Sequence, residues 1–426
     1  MNQQVKSSDF RVKMQTISNK IQKNKYIAAI SGGLASLNPV LIIGALFSLF
    51  AGIQFTPYQD FITSTGLKEM FNIGSTVTIN LLALYASFSI AYNLAKELDK
   101  DAFSIGLIST ICFLILIPTT LSEDGYTTFL SFDWLGAKGL FVSFIAAIVV
   151  GNVYSFMIDK GVYFKMPKNV PSMIEKSFAA LTPGLASIII FLIIRIGFSM
   201  TSFETLPNFI YSMIQQPLTS LGGTWYAMII CVFITNLLWW FGIHGSIVVL
   251  SVMSPIWLPL DLANLAAYEA GATVLPNMFG TTFYIVYTAI GGNGCTFGLA
   301  INMLRSKSVR FKTMSKMTIL PSFFSIDEPL KFGIPLVLNP KFFVPLVFTP
   351  IVCVIIAIIA TMTGIVPYLN GTQIPVGIPI LGTALIAGGW KVVILQAILI
   401  IISYFCWRPF FKRVDEEEYE LETKEQ

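Results

Sequence analysis

Long apolar runs alternate with short polar segments along most of this chain. The runs fall at 27–54, 74–97, 102–121, 137–157, 177–200, 224–243, 279–303, 342–364 and 390–407. A helix needs roughly 20 apolar residues to cross the hydrocarbon core of a bilayer, so each run reads as a transmembrane candidate. Three further stretches, 245–260, 318–338 and 374–389, are apolar but broken by glycine and proline. Irregular backbone at membrane depth is tolerated only where it lines a cavity or is buried in protein. The pattern predicts an all-α, polytopic membrane protein with about ten transmembrane helices. Residues 8–24 alternate charge with Val12, Met14, Ile17 and Ile21, the spacing of a short amphipathic helix on the membrane surface. The segment 201–223 reads as a surface helix leading into a second unit. The organisational boundary is therefore expected near 200, between units 1–200 and 201–426.

Composition agrees. Hydrophobic residues make up 55% of the 426 and charged residues only 12%, about half the charged share of a soluble domain; the mean hydropathy is +0.74. The net charge of +4 comes from clustered basic loops and argues for topology, not for nucleic-acid binding. Lys and Arg crowd the first 26 residues, the loops after 97 and 157, the segment 305–316 and the segment after 407, whereas 201–223 has none. Cytoplasmic loops carry the excess of positive charge, which places both termini in the cytoplasm. The start of the chain lacks the long apolar core of a cleaved signal peptide. Cys112, Cys231, Cys295, Cys353 and Cys406 lie in or beside apolar runs with no metal or redox spacing, so no metal or cofactor is expected.

Polar groups inside apolar runs are costly when unpaired, and they mark candidate sites. His244, the only histidine, closes the run Trp239-Trp240-Phe241-Gly242-Ile243-His244-Gly245. If the helix continued, Trp240 would share a face with His244, four residues on. An aromatic plate beside a hydrogen-bonding group suits a sugar; the plain alternative is an interfacial Trp pair and a structural histidine. Gly291-Gly292-Asn293-Gly294-Cys295-Thr296 breaks a second run. It lacks the Lys of a phosphate loop and fits either backbone contact with a ligand or tight helix packing. The third place is 321–335, where Asp327 and Glu328 sit in an apolar, proline-broken stretch. That suits a re-entrant hairpin reaching a substrate site; the alternative is an ion pair of Glu328 with Lys331. Trp390, at the head of the last run, is a further aromatic candidate.

These motifs, in this order and spacing, resemble the enzyme IIC permease of the bacterial phosphoenolpyruvate-dependent sugar phosphotransferase system, in particular its lactose/cellobiose/diacetylchitobiose family. The carriers are the Trp-Phe-Gly-Ile-His-Gly run, the Gly-Gly-x-Gly-x-Thr break and the run from Ile326 to Pro340. Asn264 to Gly271 and Leu275-Pro276-Asn277 also look like that family. The resemblance implies a homodimer in the bacterial cytoplasmic membrane, with the first five spans forming most of the contact. The later spans and two re-entrant hairpins would enclose one sugar, and His244 and Glu328 would bind its hydroxyls near the phosphorylation position. Two positions depart from the pattern: Asp327 stands where the family usually has Asn, and Lys331 where it is usually apolar, which suggests an extra buried pair or a shifted sugar preference.

The reading is a group-translocating permease. A β-linked disaccharide is bound by His244, Glu328, Asn293, Gly294, Thr296, Trp239, Trp240, Asp327 and Trp390. It is then phosphorylated by a separate enzyme IIB protein, with Glu328 as general base and His244 orienting the hydroxyl. A proton-coupled sugar symporter, with Asp327 and Glu328 as proton carriers, is the rival. A non-transporting sensor or a bacteriocin docking protein is a third possibility.

Overall fold

The computed structural model describes residues 12, 16, 19–21, 23–53, 55–121, 128–167, 170–334, 336–375 and 377–424. Most of the expected amphipathic helix at 8–24 lies outside the described residues. The chain divides into two units: one is Gln22–Leu221 with Ser254–Leu262, the other Met1–Ile21, Gly222–Met253 and Ala263–Gln426.

The first unit opens with α1 (Lys25–Ser36), capped by the Asn24 side chain, and α2 (Asn38–Gly52), bent 44° from it. Pro39 stands in the first turn of α2, where its missing N–H is harmless and its ring disfavours continuation of the preceding helix. Then come α3 (Thr56–Ser64), α4 (Leu67–Thr78), α5 (Leu82–Glu97) and α6 (Ala102–Leu116). A two-stranded antiparallel ribbon follows, β1 (Thr119–Leu121) against β2 (Thr128–Leu130), the one departure from an all-helical chain among the described residues. It leads into α7 (Phe132–Leu135), α8 (Leu140–Asp159), α9 (Ser172–Ser199), α10 (Leu206–Ile210) and α11 (Gln216–Gly222). The central helix is α5, packed on α1, α6 and α8. Its Ala83, Ala86, Ala91 and Ala95 are wholly buried, since small residues let apolar helices approach closely where lipid supplies no hydrophobic drive. Arg195, a charge in the apolar later part of α9, donates to the carbonyls of Ile115 and Ile117 and to Thr119 Oγ1. It thus serves carbonyls that the end of α6 leaves without helical partners.

The second unit contains α12 (Trp225–Trp240), both ends of α13 (Gly245–Glu269), α14 (Thr281–Thr288), α15 (Phe297–Leu304), α16 (Val309–Phe323), α17 (Glu328–Gly333), α18 (Pro340–Met362), α19 (Ile380–Gly388) and α20 (Trp390–Lys424). Thr224, Ser308 and Asn339 cap α12, α16 and α18 with side-chain oxygens, as such residues do for the free amides of a first turn. A buried core of Leu299, Met303, Leu330, Leu336, Phe342 and Trp407 underlies α17. The acidic segment after Val414 continues α20 as helix to Lys424.

Among the described residues six helical stretches are long and apolar enough to cross a membrane, one of them α4 and α5 taken together as Leu67–Glu97, or up to eight if each of two bent pairs counts as one span. This is fewer than the apolar runs suggest. The run 279–303 is split by its glycines into the eight-residue α14 and α15, and the run at 102–121 yields only the 15-residue α6.

Candidate functional site

The two half-exposed groups of most chemical interest face each other. His244 lies between α12 and α13, and Glu328 is the first residue of α17. Their Nε2 and Oε1 atoms are 3.6 Å apart, with side chains 39% and 44% exposed. Local sequence explains both placements. The helix α12 ends at Trp240, and Gly242 turns the chain with φ +78. His244 then caps α13, its Nδ1 accepting from the Ile247 amide at 3.4 Å. An accepting Nδ1 puts the proton of a neutral ring on Nε2, the atom that faces Glu328. Pro329 stands in the first turn of α17, where its ring suits the start of a helix. At 3.6 Å the pair is too long for a good hydrogen bond, and a hydroxyl placed alongside can bond both groups.

Because α12 stops at Trp240, the shared face expected for Trp240 and His244 does not arise. Trp239 takes that position: its ring centroid is 4.4 Å from that of His244, and Trp239 is 2% exposed. Trp240 turns elsewhere. Its Nε1 donates to the Asn339 carbonyl at 3.2 Å, and it lines an apolar hollow of about 390 Å³ with Leu237, Phe241, Pro340 and Phe343. Trp390 opens α20 and is 72% exposed.

The glycine break packs against Asp327, the residue before Glu328. Residues Gly291, Gly292, Gly294 and Cys295 all have positive φ, a region where a side chain is strained. At Gly292 a Cβ would also collide with the Asp327 carboxyl. Thr296 is buried; its hydroxyl lies 2.6 Å from the Gly291 carbonyl and 3.3 Å from Asp327 Oδ2. Ser325 donates to the Ala289 carbonyl at 3.0 Å. Trp407 of α20 donates to the Gly294 carbonyl at 3.1 Å. Asn293 is only half-buried, and its Oδ1 lies 3.2 Å from the Tyr284 hydroxyl. The glycine-rich segment is therefore a braced turn that offers Asn293, while Gly294 and Thr296 are buried within it.

The alternative pairing of Glu328 with Lys331 is not the one formed. Lys331 Nζ lies 2.7 Å from Asp327 Oδ2, and these side chains are 1% and 2% exposed. One helical turn separates the two residues, and the Lys331 amide also donates to the Asp327 carbonyl at 2.9 Å. Glu328 is left facing His244.

Two further hydrogen-bonding residues were not among the candidate site residues. Tyr284 sits in an apolar run as one aromatic among several. Asn264, buried in α13, donates from Nδ2 to the carbonyls of Asn277 and Leu369 at 2.6 and 2.9 Å, and its Oδ1 accepts from the Asn277 amide at 2.8 Å. Both Asn264 and Asn277 belong to runs that resemble the permease family in sequence. Among the described residues no group of three or more His, Cys, Asp or Glu side chains could hold a metal ion.

Residues 31–350 match the family described as "Phosphotransferase system, EIIC". Among curated proteins the chain is 34% identical to the lichenan permease IIC component of Bacillus subtilis (strain 168), over 96% of this chain and 94% of that one. It is 33% identical to the cellobiose-specific EIIC component of Geobacillus stearothermophilus, over 95% and 93%. Among solved structures, the IIC-component transporter of an N,N'-diacetylchitobiose-specific phosphotransferase system aligns with a TM-score of 0.90 at 31% identity, covering 96% of this chain and 98% of that one.

Proposed function

The chain belongs to the EIIC family of phosphotransferase-system permeases, and from that premise we propose that it translocates a β-linked disaccharide of the cellobiose, diacetylchitobiose or lactose type, phosphorylated on entry by a separate IIB protein. The observation that carries this reading is the half-exposed His244–Glu328 pair, brought together from two broken apolar segments. Asn293 of the glycine break is the next candidate for a sugar hydroxyl, with the Tyr284 hydroxyl orienting its side chain, while Asn264 ties α13 to the backbone of Asn277 and Leu369. The chain works as a homodimer in the bacterial cytoplasmic membrane. It crosses about ten times when broken segments are counted, with two re-entrant hairpins and both termini inside. The unit 1–200 supplies most of the dimer contact and 201–426 encloses the sugar.

Transfer then proceeds by in-line displacement. The sugar hydroxyl attacks phosphorus, the O–P bond forms, and the bond from phosphorus to the IIB protein's cysteine sulfur breaks, releasing the thiolate. The hydroxyl proton passes to the Glu328 carboxylate as the new bond forms. His244 Nε2–H donates to the same oxygen and fixes its lone pair toward phosphorus. The remaining designated residues shape the site: Gly294 and Thr296 through the turn they build, Asp327 through Lys331, and Trp239 beneath His244. Trp240 and Trp390 would meet the sugar only in another conformation of the carrier.

The symporter reading is not favoured. Its relatives by sequence are phosphotransferase components, and one of its two proton carriers, Asp327, is buried against Lys331. Purified protein in vesicles is the test. With a phosphorylated IIB protein enclosed in the vesicles and cellobiose, lactose or diacetylchitobiose outside, sugar phosphate should accumulate inside without any ion gradient. Unmodified sugar accumulating with a proton gradient would overturn the proposal.

A further inference from the structure

Beneath the His244–Glu328 pair lies a second pair that no ligand can reach. Asp327 and Lys331 meet at 2.7 Å with almost no exposure, and each is tied to a different wall of the site. The Asp327 carboxylate accepts from Thr296 Oγ1 and fills the space left by the missing side chain of Gly292. The Lys331 ammonium stands 3.6 Å from the centroid of the Trp239 ring. That same ring lies against the His244 imidazole. Glu328 sits between the two charged residues in sequence, on the same short helix.

Burying two charges is a poor way to gain stability. An apolar pair of similar volume is often equally stable, whereas removing one partner leaves an uncompensated charge. The geometry offers a different use. A cation over an indole is held to the ring face, so Lys331 sets where Trp239 lies, and Trp239 sets where the His244 ring lies. Through Asp327 the same ammonium registers α17, and hence Glu328, against the glycine break.

We propose that Asp327 and Lys331 are positioning residues. Their ion pair fixes His244 and Glu328 at the separation that accepts one sugar hydroxyl, acting on His244 through Trp239 and on Glu328 through α17. This rests on the reading of His244 and Glu328 as the sugar-binding pair, and its test has one readout that does not depend on sugar.

The test is the double variant Asp327→Asn/Lys331→Met, which removes both charges at similar size. It should unfold at the temperature of the wild type within a few degrees. Cellobiose should bind about 10-fold more weakly, and sugar-phosphate formation at saturating sugar should fall as well. Because His244 is the only histidine, the spectrum of untagged protein labelled with ¹⁵N-histidine reports its ring directly, and those signals should shift. A double variant with wild-type binding, transfer and histidine signals would overturn the inference. Should the double variant fail to fold, Trp239→Phe and Trp239→Leu decide it. The first keeps an aromatic face for Lys331 and should retain most of the affinity and the histidine signals, and the second should lose both. Equal behaviour of these two would remove the link through the ring. Failure of the function reading is recognised separately, as wild-type protein that binds no disaccharide and forms no sugar phosphate; the histidine spectra then still judge the positioning.

Discussion

In the proposed mechanism Glu328 and His244 divide the work at the reacting hydroxyl, and their substitutions should separate transfer from binding. Glu328→Gln keeps the size and the hydrogen-bonding capacity of the side chain but cannot take a proton at neutral pH. Sugar-phosphate formation should be abolished while equilibrium sugar binding is weakened less; a variant that transfers at a near-normal rate would exclude the general base. His244→Ala should weaken binding by about 1–3 kcal/mol, the range for losing a partner at a partly buried polar site. Calorimetric titration of purified protein reads this, and unchanged affinity would leave His244 only its cap on α13. Gly292 is constrained twice, by φ +100 and by the absence of space for a Cβ beside Asp327. Gly292→Ala should therefore lower the unfolding temperature and weaken sugar binding together. A variant that loses neither would show that the glycine break can yield.

At the scale of elements, the decisive contact is between α16 and the far end of α20. The segment 305–316 has five basic residues and no acidic one, yet α20 brings acids to it. Asp415 accepts from the amides of Lys307 and Ser308 at 2.9 and 3.1 Å and from the Ser306 hydroxyl. Glu422 accepts from Ser308 Oγ and from the amides of Val309 and Arg310, at 2.7, 2.9 and 3.0 Å. These carboxylates serve the free amides at the start of α16, where negative charge is favoured. Since α16 runs toward α17, the end of α20 fixes the base of the segment that carries Glu328. Asp415→Ala should cost about 1–3 kcal/mol locally, as hydrogen bonds to a buried charge are lost. Amide exchange at Lys307 and Ser308 should accelerate by roughly 5- to 160-fold, since 1.36 kcal/mol is one factor of ten. Unchanged exchange there would mean that the segment is held by its other contacts.

Considered as a whole, a permease of this kind works with a phosphorylated partner, and we propose 305–316 as the surface that receives it. Arg305, Lys307, Arg310 and Lys312 are exposed, and a basic field attracts a phosphoprotein. Arg310 is engaged with Glu418 at 2.7 Å, so Lys307 and Lys312 carry more of the free field. Neutralising Lys307 and Lys312 should slow phosphoryl transfer at low salt and leave sugar affinity intact. Adding Arg305 and Arg310 should slow it further. The effect should fade at high salt, because exposed charges are screened beyond about 8 Å at physiological ionic strength. Transfer rates indifferent to both the substitutions and the salt would leave membrane topology as the only role of these charges.

Some of this was already legible in the sequence, for a reason that belongs to the membrane. Polar groups are expensive among apolar residues, so His244, Glu328 and the glycine break stand out without any structure. The same apolar background makes an all-helical membrane protein the only economical reading of the runs. Other features needed the folded chain. Lys331 could reach Asp327 or Glu328 along a helix, and only the burial of α17 on its core decided for Asp327. Whether Trp239 or Trp240 neighbours His244 depended on where α12 ends, which hydropathy does not register. The split of 279–303 into α14 and α15 followed from backbone conformations that glycine permits but does not require. The acids that serve 305–310 lie more than a hundred residues away at the end of α20. Local pattern thus determined which residues are chemically out of place, and long-range packing determined which of them meet.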